Sequence, residues 1–531
     1  MPSLLLERMH TEIARSMFRD VNNENDHFYV FVGRTQPWPD ENNPPLVVDN
    51  RVTESQTRRD IMFAKRVAPT DIVYLVRNIP WVENKVFDRY DDNISPDTPA
   101  PSGATRIQDA LFYVLTDDFN VYKCINNNGA SPSTERPTGT STEIFTTVDG
   151  YVWKFMYQVP VLDRTKFLSP QWLPARHYTG GYHFDVNGFL DSVDVIQGGT
   201  GYTQNNTHVL IDGDGHGAVA VPTVTSGAVT AVDVFTDSDA IVHTGEGYSF
   251  IFASVIGDGS GATLRANLGK TTTMPVNDDV PQAAIPGGIH VIDVLTQGQD
   301  YFQENTSVTI EGDGEGAEAV AVVENGKVTR IQITNPGVNY DWITVTINSP
   351  VGFGATARGV ISPKGGHGFD APDELYATGF SIMVNMGVGG DDPDIFTGND
   401  YRQLGLMKNP LVYNSNDALR SVTATASHVI AVPDATEYHT DDIITSDDGG
   451  EFRVIQIIDE NVWLQPIKDY ITDVSTLTNA TTAVGGLTIN SGGLTPAEID
   501  VYSGELLYVN NKVRVMRVTE QTETLQIFFS F

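Results

Sequence analysis

The sequence predicts a mainly β protein with a few N-terminal helices, in which an α+β core of β-sandwich type is interrupted by a domain of β repeats. Of 531 residues, 48 are glycine and only 19% are charged. This balance favours short strands joined by tight turns over helical bundles. A glycine-rich phrase recurs in the middle of the chain. We therefore expect the core over 1–187 and 363–531, and the repeat domain over 188–362.

Two helices are predicted near the N-terminus. The first follows Ser3 as N-cap and is marked by apolar residues at steps of three and four: Leu6, Met9, Ile13 and Met17. The second is expected to begin at Thr57. Thr57 and Asp60 have the spacing of a capping box, and an apolar run follows at 61–64.

Strands are predicted in both terminal parts of the chain from runs of aromatic and β-branched residues. In chain order the runs are 27–32, 72–76, 111–115 with 121–125, 151–159, 506–509 with 513–516, and 525–531. The two paired runs are interpreted as hairpins, the second with a three-residue loop at 510–512. The terminal strand is expected to be paired or covered, because an exposed apolar edge aggregates.

The central glycine-rich phrase occurs in four copies. Three copies span 213–218, 257–262 and 312–317, and a shorter, less similar copy spans 352–355. Each unit is predicted to contain, in order, a strand, a turn with a tyrosine, a second strand, a glycine turn and a third strand. The glycines supply the positive φ angles that tight turns need. One unit buries too little apolar surface to fold alone, so the copies are expected to pack on one another. Residues 270–288 are interpreted as a connector between pairs of copies.

Composition excludes several classes of function. The net charge of −35 disfavours binding to nucleic acid, because duplex affinity comes largely from Lys and Arg that neutralise phosphates. Cys124 is the one cysteine, which excludes an intrachain disulfide and fits folding in a reducing cytoplasm. The N-terminal leucines are too few for a signal peptide, and no apolar run reaches the length of a membrane helix. We expect no membrane insertion.

Segments that resemble catalytic or metal-binding motifs match those motifs poorly, so we expect that the chain is not an enzyme and binds no cofactor. Residues 269–271 resemble the end of a phosphate-binding loop, but Leu264 stands where its first glycine belongs. Residues 212–217 resemble the start of an EF-hand loop, but Thr223 replaces the bidentate glutamate. We interpret these aspartates as acidic turn residues, and calcium binding is the alternative interpretation. For His367, within Gly-Gly-His-Gly, a turn role is favoured over a metal or general-base role.

Three groups of stretches, in order from one terminus to the other, carry a resemblance to one family. The first group covers 29–38, 59–62 and 81–92, and includes Gly33, Arg34, Trp38, Trp81, Tyr90 and Asp91. The second covers 112–127 and 151–157, and includes Trp153. The third runs from 363 to the C-terminus, and includes His367, Tyr401, Arg402, Arg517, Gln521 and Glu523. Together they resemble the middle-sized baseplate wedge subunit of contractile-tailed, myovirus-type bacteriophages.

The resemblance implies a structural role in the virion. Members of this family form dimeric connectors that bind other baseplate wedge proteins during tail assembly and baseplate rearrangement. A chain of this kind would be assembled in the host cytoplasm and reside in the tail baseplate. Aromatic residues such as Trp38, Trp81, Tyr90 and Trp172 could anchor interfaces, although each is better interpreted singly as a core residue. The repeat domain departs from the compact family pattern and resembles an enlargement of the domain that family members insert between the two halves of the core.

Two other functions remain open at the level of sequence. The repeats could contact host-surface glycans as a tail adhesin, with solvent-facing aromatics at Tyr202, Tyr248, Tyr301 and Tyr340. Their regular placement before a strand favours packing instead. The second alternative is a tail-associated hydrolase, which requires a cleft with convergent carboxylates.

Overall fold

The structure is a computed structural model in which the following residues are described: 15–16, 18–21, 26–177, 188–213, 215–238, 240–246, 248, 251–269, 275–386, 400–468, 476–481, 484–488, 494–516 and 523–530. Its helices include α1 (Arg51–Asp60), α2 (Val161–Lys166), α3 (Pro275–Gln282) and α4 (Ala371–Glu374). None of the helices in these ranges has the length and apolar character that a membrane crossing requires. The four apolar residues that mark the first predicted helix, Leu6, Met9, Ile13 and Met17, lie outside the described residues, and residues 15–16 are helical.

The first part of the chain contributes eight strands. They are β1 (Phe28–Gly33), β2 (Ile61–Arg66), β3 (Ile72–Arg77), β4 (Tyr113–Leu115), β5 (Asn120–Asn126), β6 (Phe145–Thr146), β7 (Val152–Gln158) and β8 (Trp172–Ala175). The predicted strands at 27–32, 72–76 and 151–159 and the hairpin of 111–115 with 121–125 are confirmed, the hairpin as the antiparallel pair β4–β5. Trp153, Phe155 and Tyr157 lie on one face of β7, but Lys154 and Met156 on the other face are buried as well.

The strands of the repeat domain fall into two repeat units. In the first repeat unit (188–269) they are β9 (Phe189–Thr200), β10 (His208–Gly213), β11 (His216–Ala218), β12 (Ala220–Thr225), β13 (Ala228–Val234), β14 (Thr244–Glu246), β15 (Ile251–Ile256) and β16 (Ser260–Gly269). In the second repeat unit (289–361) they are β17 (Ile289–Gln299), β18 (Ser307–Gly312), β19 (Glu315–Glu324), β20 (Lys327–Val338), β21 (Ile343–Asn348) and β22 (Phe353–Ile361).

The remaining strands belong to the last part of the chain. They are β23 (Gly379–Met386), β24 (Tyr401–Lys408), β25 (Leu411–Val412), β26 (Thr423–Thr425), β27 (His428–Ala431), β28 (Ile443–Ser446), β29 (Glu451–Ile458), β30 (Asn461–Lys468), β31 (Thr476–Asn479), β32 (Val484–Thr488), β33 (Leu494–Thr495), β34 (Ile499–Asp500), β35 (Glu505–Val515) and β36 (Glu523–Ser530). The mainly β fold class is therefore confirmed, and so is the paired terminal strand, because β36 pairs with β23.

Two sheets join the first and last parts of the chain. One has the order β26-β2-β1-β24-β35, and the other has the order β36-β23-β3-β8. Their central pairs, β1–β24 and β3–β23, each combine one strand from before the repeats with one from after them. Tyr508 of β35 and Phe529 of β36 meet edge to face at 5.5 Å, which packs the two sheets together. Neither part can complete its sheets without the other.

A third sheet and a separate seven-stranded sheet complete the architecture. The third sheet, β4-β5-β7-β6, packs its aromatic residues into the same core as β1 and β3. The seven-stranded sheet, β32-β31-β28-β29-β30-β27-β33, lies between β26 and β34 in the chain and has its own cluster around Phe452 and Leu464. No sequence signal distinguished this subdomain, because its strands are short and mix polar with apolar residues.

The repeat copies pack in two pairs, and each pair is a unit with its own hydrophobic cluster. In both units the strands pair as nested antiparallel ribbons: β9–β16, β10–β15 and β12–β13 in the first, and β17–β22, β18–β21 and β19–β20 in the second. The connector contains α3, in which both amide atoms of Asn277 bind the backbone of Gln158 and Val280 enters the core.

Each repeat tyrosine is buried against the glycine turn of the other copy in its unit. A Cβ on Gly259 would lie 2.4 Å from the ring of Tyr202, and one on Gly352 would lie 2.5 Å from the ring of Tyr301. Tyr248 packs on Gly215 and Tyr340 on Gly314 in the same way. The glycines are therefore needed for close ring packing as well as for positive φ angles.

The expectation that a helix begins at Thr57 was wrong. Helix α1 begins after Asn50, whose side chain accepts hydrogen bonds from the backbone N–H groups of Val52 and Thr53. Thr57 lies in the last turn, and the apolar run that follows is the buried strand β2 rather than a helix. A capping-box spacing at a helix end misled the prediction, because the true N-cap lies seven residues earlier.

The expected C-terminal hairpin was also wrong. Residues 505–515 form one continuous strand, β35, along β24. The register with β24 shifts between Asn511 and Val515, and three contacts hold the supposed loop within the strand. Gln403 Nε2 donates to Asn511 Oδ1, Asn511 Nδ2 donates to the carbonyl of Pro45, and Trp38 Nε1 donates to the carbonyl of Lys512. Tertiary partners here override the turn preference of two consecutive asparagines.

Candidate functional site

Gly33, Arg34 and Trp38 of the first motif group and Arg402 of the third form a cluster that fastens the segment 34–50 to the five-stranded sheet. The guanidinium of Arg34 lies 3.8 Å over the ring of Trp38 and binds Asp60 at 3.0 Å. Arg402 Nε on β24 binds Glu41 Oε1 at 2.8 Å, and the same oxygen accepts the backbone N–H of Trp38. Gly33 passes so close to the carbonyl of Asp60 that a Cβ would lie 2.3 Å from it.

This fastened segment presents apolar side chains to solvent beside an edge strand. Leu46 is 90% exposed, and it follows Pro45, whose carbonyl accepts a hydrogen bond from Asn511 of β35 at 2.8 Å. Among the described strands, β35 is the last of its sheet. We call the exposed apolar residues of the two segments, together with Val52 at the start of α1 and Met516 directly after β35, the apolar edge: Leu46, Val47, Val48, Val52, Leu507, Val513 and Met516.

A second cluster of motif residues is buried where the first part of the chain, the last part and the second repeat unit meet. Lys123 Nζ lies 2.9 Å from Glu374 Oε2 and 4.0 Å from the centre of the Tyr90 ring. Glu374 Oε1 also accepts the backbone N–H groups of Gly368 and Asp370. His367 packs edge-on against Tyr90 at 5.2 Å and lies 5.3 Å from His290.

Burial dominates the electrostatics of this cluster. It lowers the pKa of Lys123 and raises the pKa of Glu374, while the ion pair opposes both changes. Burial, followed by Lys123, holds the pKa of His367 well below its usual range. Among the described residues, no group hydrogen-bonds to His367 Nδ1, so the expected turn role appears as ring packing rather than as a backbone bond through this atom. A neutral histidine between aromatic rings is consistent with packing.

Ion pairs seat both repeat units on the core. Asp91 binds Arg358 of β22 at 2.9 Å, and Arg89 beside it binds both carboxylate oxygens of Asp293 on β17. On the first repeat unit, Asp212 binds Arg66 of β2 at 2.7 Å. The motif residue Asp91 therefore takes part in domain attachment, a role that the sequence did not indicate.

The other motif residues support the core. Trp153 is fully buried and stacks on Tyr151 at 5.4 Å, and Trp81 donates to Ser133 Oγ at 3.2 Å. Tyr401 is buried opposite Val515, and Glu523 is buried opposite Met386. Trp38 and Tyr90 are also buried, which favours the core interpretation over that of surface anchors. Arg517 and Gln521 lie outside the described residues.

The acidic glycine turns use their carboxylates within the fold. Both oxygens of Asp258 accept hydrogen bonds from Thr203, which, with Asn206, lowers the pKa of Asp258 to about 2. Asp313 accepts the backbone N–H groups of Asp341 and Trp342. Asp212 of the EF-hand-like phrase is bound by Arg66, and Asp214 lies outside the described residues. Within the described ranges no three His, Cys, Asp or Glu residues converge on a metal position.

Tyr202, Tyr248, Tyr301 and Tyr340 do not face solvent, because all four are buried on glycine turns. They are therefore not available to bind a glycan. No protein-family model matches the sequence, and no curated protein is significantly similar to it.

Proposed function

We propose that the chain is a structural subunit of a phage tail baseplate wedge, and that the apolar edge binds a second copy of the chain. The observation that carries the proposal is that the motif residues Arg34, Trp38 and Arg402 hold an exposed apolar segment beside β35, the last of the described strands in its sheet. Exposed apolar residues gathered on neighbouring segments are typical of a protein–protein contact. The motif resemblance supports the assignment to the wedge.

The geometry of the edge favours a symmetric partner. β35 is an eleven-residue strand, long for an edge, and such strands pair readily with other chains. Antiparallel pairing of β35 with its own copy would bring Val513 and Met516 of each chain toward the apolar segment of the other. Such a contact is isologous and closes as a dimer rather than growing into a fibre. Strand addition would supply affinity through backbone hydrogen bonds.

The assignment to the wedge is tested by antibody-gold labelling of intact and contracted virions in the electron microscope. We expect label only on the disc at the distal end of the tail, in both states. Label on fibres or on the capsid, or particles without label, would overturn the proposal. The antibodies are best raised against the repeat domain, because the apolar edge is expected to be covered in the assembled particle.

The dimer contact is tested by charge substitution on both sides of the apolar edge. We expect Leu46→Asp with Val513→Asp to weaken self-association at least ~30-fold, because interface hot spots contribute about 2 kcal/mol or more. Sedimentation equilibrium of the full chain measures the effect. Val148, 96% exposed in another loop, gives the matched control Val148→Asp, which is expected to leave association unchanged. A monomeric wild-type chain, or equal behaviour of both variants, would contradict the contact.

A further inference from the structure

The repeat units contain equivalent corners, where the residues after a tyrosine meet the glycine turn on which its ring packs. In the first unit, Thr203 follows Tyr202 and binds Asp258 through its backbone N–H at 2.9 Å and its hydroxyl at 2.5 Å. Asn206 adds a bond from its amide to the same carboxylate at 3.3 Å. In the second unit, Asp313 accepts two backbone N–H groups after Tyr340. These corners are closed by polar contacts.

One corner of the second unit departs from this pattern. Phe302 and Val351 occupy the positions of Thr203 and Asp258, and they are 50% and 56% exposed. The correspondence is firm, because Gln303 repeats the two hydrogen bonds of Gln204: each binds a strand carbonyl and the N–H two residues further on. Two residues that hydrogen-bond each other in one unit are thus replaced by two exposed apolar residues in the other.

The same replacement changes the surroundings of the corner. Asn305 corresponds to Asn206 but has lost the carboxylate that its amide would bind, and none of the described residues hydrogen-bonds to its side chain. Phe353, 56% exposed, lies across from Gln299 at the start of β22. Beside it is a shallow cleft lined by Asn305, Ser307, Asn348, Ser349 and Phe353 among others, all in the continuously described range 275–386, and none of them charged.

We propose that this corner, formed by Phe302, Val351, Phe353 and Asn305, binds a neutral oligosaccharide. Aromatic and aliphatic side chains offer flat apolar area for the C–H faces of a sugar ring. The Asn305 amide and the serine hydroxyls of the cleft offer both donors and acceptors for its hydroxyl groups. A chain with a net charge of −35 repels anionic ligands, whereas the uncharged cleft accepts neutral ones. The site is independent of the apolar edge and of the wedge assignment.

The pseudo-symmetry of the repeats supplies the test variant. Phe302→Thr with Val351→Asp rebuilds the polar corner of the first unit, in which the two side chains hydrogen-bond each other, so the unit is expected to keep its fold. Trp342→Ser removes another exposed aromatic of the same unit and is the matched control. The full-length chain and both variants are applied to an array of neutral and sialylated glycans, and the affinity for bound glycans is measured by titration calorimetry.

We expect the wild-type chain to bind neutral glycans, the double variant to lose at least ~10-fold in affinity, and Trp342→Ser to bind as the wild type does. Binding of no glycan, binding of sialylated glycans alone, or equal losses in both variants would overturn the proposal. A wild-type chain that binds only a protein partner through this corner would overturn it as well. Sedimentation equilibrium of the double variant separates the two proposals, because its dimer is expected to be unchanged.

Discussion

Glu374→Gln is expected to destabilise the core by about 3–5 kcal/mol, because it leaves a buried ammonium without its counter-charge. The side chains of Lys123 and Glu374 are 0% and 1% exposed, and their charged atoms lie 2.9 Å apart. Glutamine still accepts the two backbone N–H groups of Gly368 and Asp370, so the change isolates the charge. The effect is large because Lys123 has no solvent to replace its partner.

Hydrogen exchange resolved by peptide measures this effect in a chain with several domains, for which one unfolding free energy is not defined. We expect faster exchange in β4, β5 and β7 and unchanged exchange in the seven-stranded sheet. Adding Lys123→Met removes the orphaned charge and is expected to recover most of the protection.

The exposed pair Arg106–Asp109 provides the matched control. Its charged atoms lie 2.7 Å apart, and both side chains are about half exposed. Asp109→Asn is expected to change stability by less than ~1 kcal/mol, because solvent screens a surface pair. If Glu374→Gln behaves like Asp109→Asn, the core does not depend on its buried ion pair.

The sequence was most informative where local geometry alone decides the structure. Gly217, Gly261, Gly316 and Gly354 all have φ between 78° and 84°, as the repeated phrase predicted. The aromatic strand 152–158 and the terminal strand were recognised because their residues suit a buried sheet in any context. Turn chemistry and strand propensity act within a few residues, so they can be read without knowing the fold.

The prediction of a C-terminal hairpin was wrong because residues distant in the sequence determine the local conformation there. The turn-like residues 510–512 remain in a strand because Trp38, Pro45 and Gln403 bind them from more than 100 positions away. No local pattern announces such partners.

The candidate sites were even less accessible from sequence. Lys123 and Glu374 are 251 residues apart, and nothing in either segment identifies the other. The apolar edge depends on knowing that Leu46 finds no cover, which is a property of the assembled sheets. The Phe302 corner appears only when the two repeat units are superposed by their nested strand pairing, because the repeated phrase by itself suggests four equal copies.

Acidification from about pH 6.5 to pH 4 is expected to remove about 3 kcal/mol of stability for each of His27 and His290. Burial is the main cause that lowers the pKa of each ring to about 4; Arg66 is the next cause for His27, and Lys154 for His290. The unfolded chain binds a proton at each histidine below about pH 6.5, whereas the folded chain does not until about pH 4. Protons therefore favour unfolding throughout this window, and stability falls as the pH falls.

The contacts of His27 explain why the folded chain does not stabilise the protonated ring. Its Nδ1 lies 3.1 Å from Nη2 of Arg66 and must accept that hydrogen bond, which requires a neutral ring. Arg66 in turn binds Asp212 and so seats the first repeat unit. Protonation of His27 would place two cations in contact inside the chain, so acid is expected to loosen this attachment before the cores of the repeat units open.

Substitution of the two histidines separates their contribution to the acid-induced loss of stability from that of the carboxylates, which also titrate in acid. His27→Gln with His290→Gln keeps an acceptor at each position but removes the proton site. Hydrogen exchange resolved by peptide at several pH values, referred to the intrinsic exchange rate at each pH, is expected to show a shallower loss of protection around β1 and β17 than the wild type shows. His216→Gln, at a side chain that is 80% exposed, is the matched control and should leave the slope unchanged. Equal slopes for all three proteins would mean that His27 and His290 take up protons in the folded chain as readily as in the unfolded one, and that neither enforces the neutral contacts on which the seating of the first repeat unit depends.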